Sequence, residues 1–277
     1  MAGDGVFAYR HGIAVTQLIL FALSLAFAIY CRISRRNGWF CIGVFSIFRI
    51  VGAGCMLGTI TNDSDSVWAG VFVCESFGMI LIVYLLLEFM QRANHVVDTV
   101  HPRWFWYPQV LTTADIGLAI GGFVAASKSE HALAPTKYTQ ASFGLFTGLY
   151  LIVVYMFWCF WRNRDRFPRD EKLAIACVAV CLPLLAIRTA YSLIYQITGN
   201  RTWNAVKGNS TAYLIMTFIV ELAIIYASMW TIFSINPPPR TKSKHAQGRQ
   251  QRDYAQVNPH HELSGGQDEN VRFASAS

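Results

Sequence analysis

Seven long apolar blocks separated by short polar segments organise the chain up to residue 233. They run near 12–30, 39–60, 67–89, 104–126, 141–161, 173–197 and 211–233. Each reaches the roughly 20 residues a helix needs to cross the hydrocarbon core of a bilayer. The pattern predicts an all-α fold, a polytopic membrane bundle of seven transmembrane helices. Residues 1–11 form its lumenal N-terminus, 12–233 the transmembrane domain and 234–277 a cytoplasmic tail. Trp39, Trp68, Trp104, Trp106, Trp161 and Trp230 stand close to block ends, as an aromatic belt requires. Pro183 is expected to kink the sixth helix.

The polar segments set the orientation. Those at 31–38, 90–103, 162–172 and 234–277 hold 16 Lys and Arg, against 5 in the alternate set at 1–11, 61–66, 127–140 and 198–210. Positive charge collects on the cytoplasmic side, so the N-terminus is placed outside or in a lumen and the C-terminus in the cytoplasm. The formal net charge of +7 is therefore read as topology, and no nucleic-acid partner is expected. The sequons at Asn62, Asn200 and Asn209 all fall on the lumenal side and are candidate glycosylation sites. Ala26-Phe27-Ala28 resembles a signal-peptide cleavage site, but the block is long and basic residues follow it, which favours a retained helix. The tail opens with Pro237-Pro238-Pro239 and stays polar, as a disordered extension does.

Composition agrees with a membrane protein: 54% of residues are hydrophobic and 14% charged, too few charges to cover a soluble surface. Seven cysteines lie in or beside the apolar blocks with no metal-type spacing and read as small apolar residues. His260-His261-Glu262 has no second ligand pair at helical spacing. No P-loop or dinucleotide glycine pattern is present, and neither metal nor cofactor is expected.

Five ionisable residues interrupt the blocks: Arg49, Glu75, Asp115, Arg188 and Glu221. At 1.5 Å per residue their depths from the lumenal helix ends are about 16, 12, 16, 13 and 15 Å. They share one plane. Each would cost about 2.5–3.5 kcal/mol against lipid, so the helices are expected to turn them toward one another or toward a wet cavity. Tyr191, Ser192 and Tyr195 follow Arg188 on its own face. Ser46 and Gly52 flank Arg49, and Thr112 precedes Asp115 by one turn. Structural ion pairs are the plain explanation of such a plane. Three acids against two arginines leave one acid without a cation, and burial favours its neutral, proton-donating form. Among the aromatics of the fifth block, Tyr150 stands nearest this plane and is the candidate for cation–π stabilisation.

GWFCIGVFSIFRIVGAG (38–54), EKLAIACVAVCLPLLAIRTAYSLIY (171–195) and the glutamate-bearing last block resemble a fungal family of seven-helix membrane proteins, over most of residues 10–233. That neighbourhood includes membrane-bound terpene cyclases of meroterpenoid pathways, of the type acting in ascofuranone and macrophorin biosynthesis. The resemblance implies cyclisation of a prenyl chain, often epoxidised, attached to a phenolic or polyketide head. Such an enzyme would sit in the endoplasmic reticulum or another endomembrane and take a hydrophobic prenylated substrate. Glu75, Asp115 and Glu221 are then the candidate acids and bases. Arg49, Arg188, Tyr191, Tyr195 and Tyr150 would tune or orient them. The chain has no aspartate-rich run to hold magnesium and diphosphate, which favours protonation over ionisation. The alternatives are a seven-helix receptor-like protein and a small-molecule or lipid transporter. A receptor fits the topology but not the motifs, since the third block ends LLLEFMQR and the last lacks Asn-Pro-x-x-Tyr. A retinal protein is excluded because none of the six lysines lies within a block.

Overall fold

The computed structural model describes residues 8–34, 36, 38–61, 64–127, 137–199, 201–203 and 208–235. All of them lie in the compact unit Met1–Pro237. The tail from residue 236, with Asn62 and Asn200, lies outside the described residues.

The described residues form helices and connecting turns, with no strand among them. The long helices are α1 (Tyr9–Ile33), α2 (Trp39–Gly58), α3 (Asp65–Val96), α4 (Arg103–Ser127), α5 (Lys137–Arg162) and α6 (Arg169–Thr198). A last one, α7 (Ser210–Ser234), completes the set. They coincide with the seven apolar blocks and extend past most block ends, because polar residues such as Arg92 and Glu171 continue a helical turn without needing to be apolar. Six are long and apolar enough to cross a membrane: α1, α2, α3 (from Gly70), α5, α6 and α7. The chain is thus a multi-pass membrane protein.

Burial is inverted relative to a soluble domain. Ile19, Leu23, Leu151, Val180 and Trp230 are exposed on the outside, while Gln17, Ser46, Arg49, Glu75, Arg188 and Glu221 are buried within. Apolar side chains facing outward need lipid around them, and buried polar ones need one another. Neighbouring helices pack in chain order, α1 on α2 on α3, with α4 on α5. Helix α6 packs against α3 and α5, and α7 packs against α6 and meets α1. Phe45, Ile82, Leu86, Val153, Leu185 and Ile224 belong to the apolar core between them.

Local chemistry fixes the helix ends. Asp170 and Glu171 stand in the first turn of α6, where carboxylates favour the positive end of the helix dipole, and Gly199 closes that helix at φ +63°. Gly38 opens α2 at φ +88°, and a Cβ there would meet Ile232 Cδ1 at 2.5 Å, so only glycine fits. Pro183 lies inside a continuous α6. The last helix is interrupted by a π-turn over Leu214–Ile219.

Candidate functional site

Four of the five ionisable residues meet in the centre of the bundle, one from each of four helices. Arg49 of α2 sends Nη1 to Glu75 Oε1 of α3 at 2.7 Å and Nη2 to Glu221 Oε1 of α7. Arg188 of α6 sends Nη2 to Glu75 Oε2 at 3.0 Å and Nε to Glu221 Oε1 at 3.0 Å. Each arginine bridges both glutamates, so the four side chains close a ring. Its formal charge is zero, and all four residues are at most 7% exposed. Removing four charges from solvent is tolerable only under such balance and close geometry.

Neighbours hold the ring in place. Tyr213 donates its phenol hydrogen to Glu75 Oε1. Arg188 Nη1 donates to Ser192 Oγ at 2.5 Å. The Arg49 guanidinium lies 5.4 Å from the centre of the Phe45 ring. On another side it rests against Gly78, where a Cβ would stand 2.7 Å from Nη2. That close approach explains why α3 carries a glycine in mid-helix, a position where it otherwise weakens a helix.

The π-turn explains how Tyr213 and Glu221 serve one ring. They are eight residues apart, which in a regular α-helix would separate their directions by about 80°. A π-turn adds about one residue to the helical repeat, so eight residues turn like seven and the separation falls to about 20°.

Asp115 is elsewhere. It is buried between α4 and α5 and accepts a hydrogen bond from Ser142 Oγ at 2.5 Å. Among the described residues, no ion pair or hydrogen bond joins it to the ring. The expected spare acid is therefore Asp115, outside the plane's working cluster. Thr112, one turn before it, bonds Tyr84 Oη at 3.1 Å instead. Ser46 donates to its own helix, at Ile42 O. Tyr150 donates to Leu182 O at 3.2 Å, bracing α5 against α6 beside Pro183. Tyr191 is buried beside Arg188, with the centre of its aromatic ring 5.9 Å from that of Trp203 in an edge-to-face arrangement. Tyr195 is buried one turn further along α6. Asn209, the one described sequon asparagine, caps α7: its Oδ1 accepts from Thr211 N at 2.9 Å and Ala212 N at 3.4 Å.

The chain belongs to the DUF7702 family. The match, to a domain of unknown function, covers residues 7–237 and so takes in every helix and the whole ring. No curated protein and no solved structure matches the chain.

The DUF7702 ring leaves some buried polar atoms unpaired. Among the described residues, Arg49 Nε, Tyr191 Oη, Thr217 Oγ1 and Glu221 Oε2 have no hydrogen-bond partner. Buried polar atoms of this kind are ordinarily met by water or ligand. Two small clefts approach the same helices from opposite ends. One, at the end of the bundle holding Arg10, is lined by Arg10, Gln17, Arg49, Glu75 and Tyr213, with apolar walls from Ile13, Met56 and Val71. The other, at the far end, is lined by Arg36, Gly38, Glu88, Arg92, Ile232 and Ile235. Arg36 there caps α7, donating to Ile232 O at 2.8 Å and Phe233 O at 2.7 Å. Each cleft offers about 20 Å³, room for roughly one water.

Sequence reasoning found Arg49, Glu75, Arg188 and Glu221. It missed Tyr213, Gly78, Gln17 and Arg10. Tyr213 is out of register with Glu221 unless the π-turn is known, and Gly78 shows its role only once Arg49 is seen lying across it.

Proposed function

We propose that this chain is a seven-span membrane protein, N-terminus outward or lumenal, that works as a receptor-like sensor of a small molecule. α4 is the seventh span in this reading. The ligand enters the cleft at the N-terminal end, and the charged ring carries its presence to the opposite end. One observation supports this above the others. The ring's Arg49 and Glu75 floor the first cleft, and α3 and α7, which also supply ring residues, line the second. A closed ring of four charges is a two-state element: it is either complete or it carries unpaired buried charge, with little in between.

Cysteine labelling in membrane vesicles tests the coupling. Met56→Cys reports the N-terminal cleft and Ile235→Cys the far one, with half-buried Cys41, Cys55 and Cys159 replaced by serine. Opening the ring with Glu221→Gln is expected to raise labelling at both positions, while native Cys181, which is fully buried, stays unlabelled. A rise at Met56→Cys alone would make the ring a local feature and sink the sensor reading.

A second reading, the terpene cyclase, is favoured by Asp115. This buried carboxyl has a hydroxyl partner and, among the described residues, no cation, which suits a neutral acid that protonates an epoxide or terminal olefin. Its substrate is far larger than either cleft, so the cyclase must open to admit it. Microsomes containing the chain, given a farnesylated phenol with a terminal epoxide, would then form a product of unchanged mass. That product is expected to vanish in Asp115→Asn. Absence of product from folded protein across several prenylated heads leaves the sensor reading.

A further inference from the structure

We infer that the end of the bundle where α5 runs into α6 is a docking surface for a phospholipid with an anionic headgroup. The phosphate lies among Arg162, Arg164 and Arg166, and the chain lies along exposed aromatic rings of α4 and α5. Under the orientation proposed above this lipid belongs to the cytoplasmic leaflet, and its binding requires neither cleft.

The rings form a shelf on the outside of the bundle. Trp104, Tyr107, Tyr155 and Trp158 are 42–63% exposed. Trp104 joins the two helices, its ring centre 6.0 Å from that of Tyr155 and 6.1 Å from that of Tyr107. Large amphipathic rings exposed in this way mark the boundary between hydrocarbon and headgroups. Arg162 follows Trp158 by four residues and Tyr155 by seven, so it stands about 6–10 Å further out along α5. The headgroup layer of one leaflet is about 5–8 Å deep. The bases therefore stand at the height of lipid phosphates, and the rings at the height of the upper chains.

The loop that carries the bases is pinned. Phe167 is 3% exposed and packs on Phe160 with ring centres 6.0 Å apart. Arg164 lies back over Trp161, its guanidinium 4.9 Å from the ring centre. Arg162, Arg164, Arg166, Arg169 and Lys172 are all exposed.

Charge decides the headgroup. Asp165 lies 3.9 Å from Arg164, and Glu171 pairs with Arg92 at 3.7 Å. With Asp98 and Asp170 also counted, residues 92–103 and 162–172 hold four acids against seven bases, six of them arginine. The surface keeps a net charge of +3 after every acid is subtracted, with histidines neutral. A zwitterionic headgroup is neutral as a unit and gains nothing from that excess, whereas an anionic one is attracted. The planar arginine fork holds two phosphate oxygens at once. A soluble anion would meet the bases and leave the shelf bare; a phospholipid meets both. Positive-inside topology asks for bases on this side, but not that they stand one headgroup's depth above an exposed aromatic shelf.

The test uses the full chain in phosphatidylcholine membranes doped with chain-labelled spin probes, one with a phosphatidylserine headgroup and one with phosphatidylcholine. Electron paramagnetic resonance separates lipid held at the protein from bulk lipid and gives the two relative association constants. Phosphatidylserine is expected to be favoured roughly fivefold. The preference is expected to vanish at about 1 M salt, where the screening length is about 3 Å. Replacing Arg162, Arg164 and Arg166 together by glutamine brings the surface to net zero and is expected to equalise the two lipids. Asp165→Asn removes an exposed acid and is expected to raise the preference, which keeps the test decisive should the triple variant not fold. Equal binding of the two lipids by the native chain overturns the inference, as does a preference that survives high salt. So does a preference that a folded triple variant leaves unchanged, or one that Asp165→Asn fails to raise.

Discussion

Glu221→Gln is expected to destabilise the bundle by about 3–5 kcal/mol. The substitution keeps size and hydrogen-bonding shape but leaves two arginines facing one glutamate in a site closed to solvent. Both guanidiniums bond the same oxygen, Glu221 Oε1, so a single change weakens Arg49 and Arg188 together. The loss reads out as reduced resistance to SDS or heat in detergent micelles. A surface carboxylate offers the contrast. Asp165→Asn removes an exposed charge whose contact to Arg164 is 3.9 Å, and its expected effect is under 1 kcal/mol. Equal effects from the two variants would mean that the ring contributes nothing special.

Gly78→Ala gives the second large effect, and its sign is the informative part. In an exposed helix interior, alanine is favoured over glycine by about 1 kcal/mol. At Gly78 the new Cβ would stand 2.7 Å from Arg49 Nη2, 3.1 Å from Cζ and 3.2 Å from Nε. An arginine tip can usually move aside. This one is held by two ion pairs and the Phe45 ring, so it retreats only by lengthening its bonds to Glu75 and Glu221. A net loss of about 1–3 kcal/mol is expected, in the range of core overpacking. Gly54→Ala in α2, where nothing lies within 4 Å of the added carbon, is the matched control and should be neutral or stabilising. A stabilising Gly78→Ala would show that Arg49 is not locked.

The long helices were legible because apolar blocks of bilayer length leave a signal that depends on composition alone, and six of them are long and apolar enough to cross a membrane. Arg49, Glu75, Arg188 and Glu221 were legible for a related reason: charge at mid-span is costly, so it stands out without knowledge of partners. Depth was readable from rise per residue, but direction was not. Asp115 shares the depth of the other four and faces α5, where Ser142 receives it. Direction depends on how each helix is rotated, and an apolar block with no clear polar stripe leaves that rotation open. Tyr213 was hidden for a further reason, since its register with Glu221 depends on a π-turn that no residue type in LIMTFI announces. Gln17 sits in the first block as one polar residue among many apolar ones, and only the structure places it, buried, in the cleft that Arg49 and Glu75 also line.

The four charges of the ring act as one balanced unit, each arginine bridging both glutamates. A double-mutant cycle on Arg188→Gln and Glu221→Gln, with stability measured in micelles, addresses it most directly. Either single change leaves unpaired charge, whereas the double variant keeps Arg49 facing Glu75 in balance. The double variant is therefore expected to be more stable than the sum of the singles by about 0.5–3 kcal/mol. Additivity within about 0.5 kcal/mol would contradict the account, because it would mean that the ring's members contribute independently.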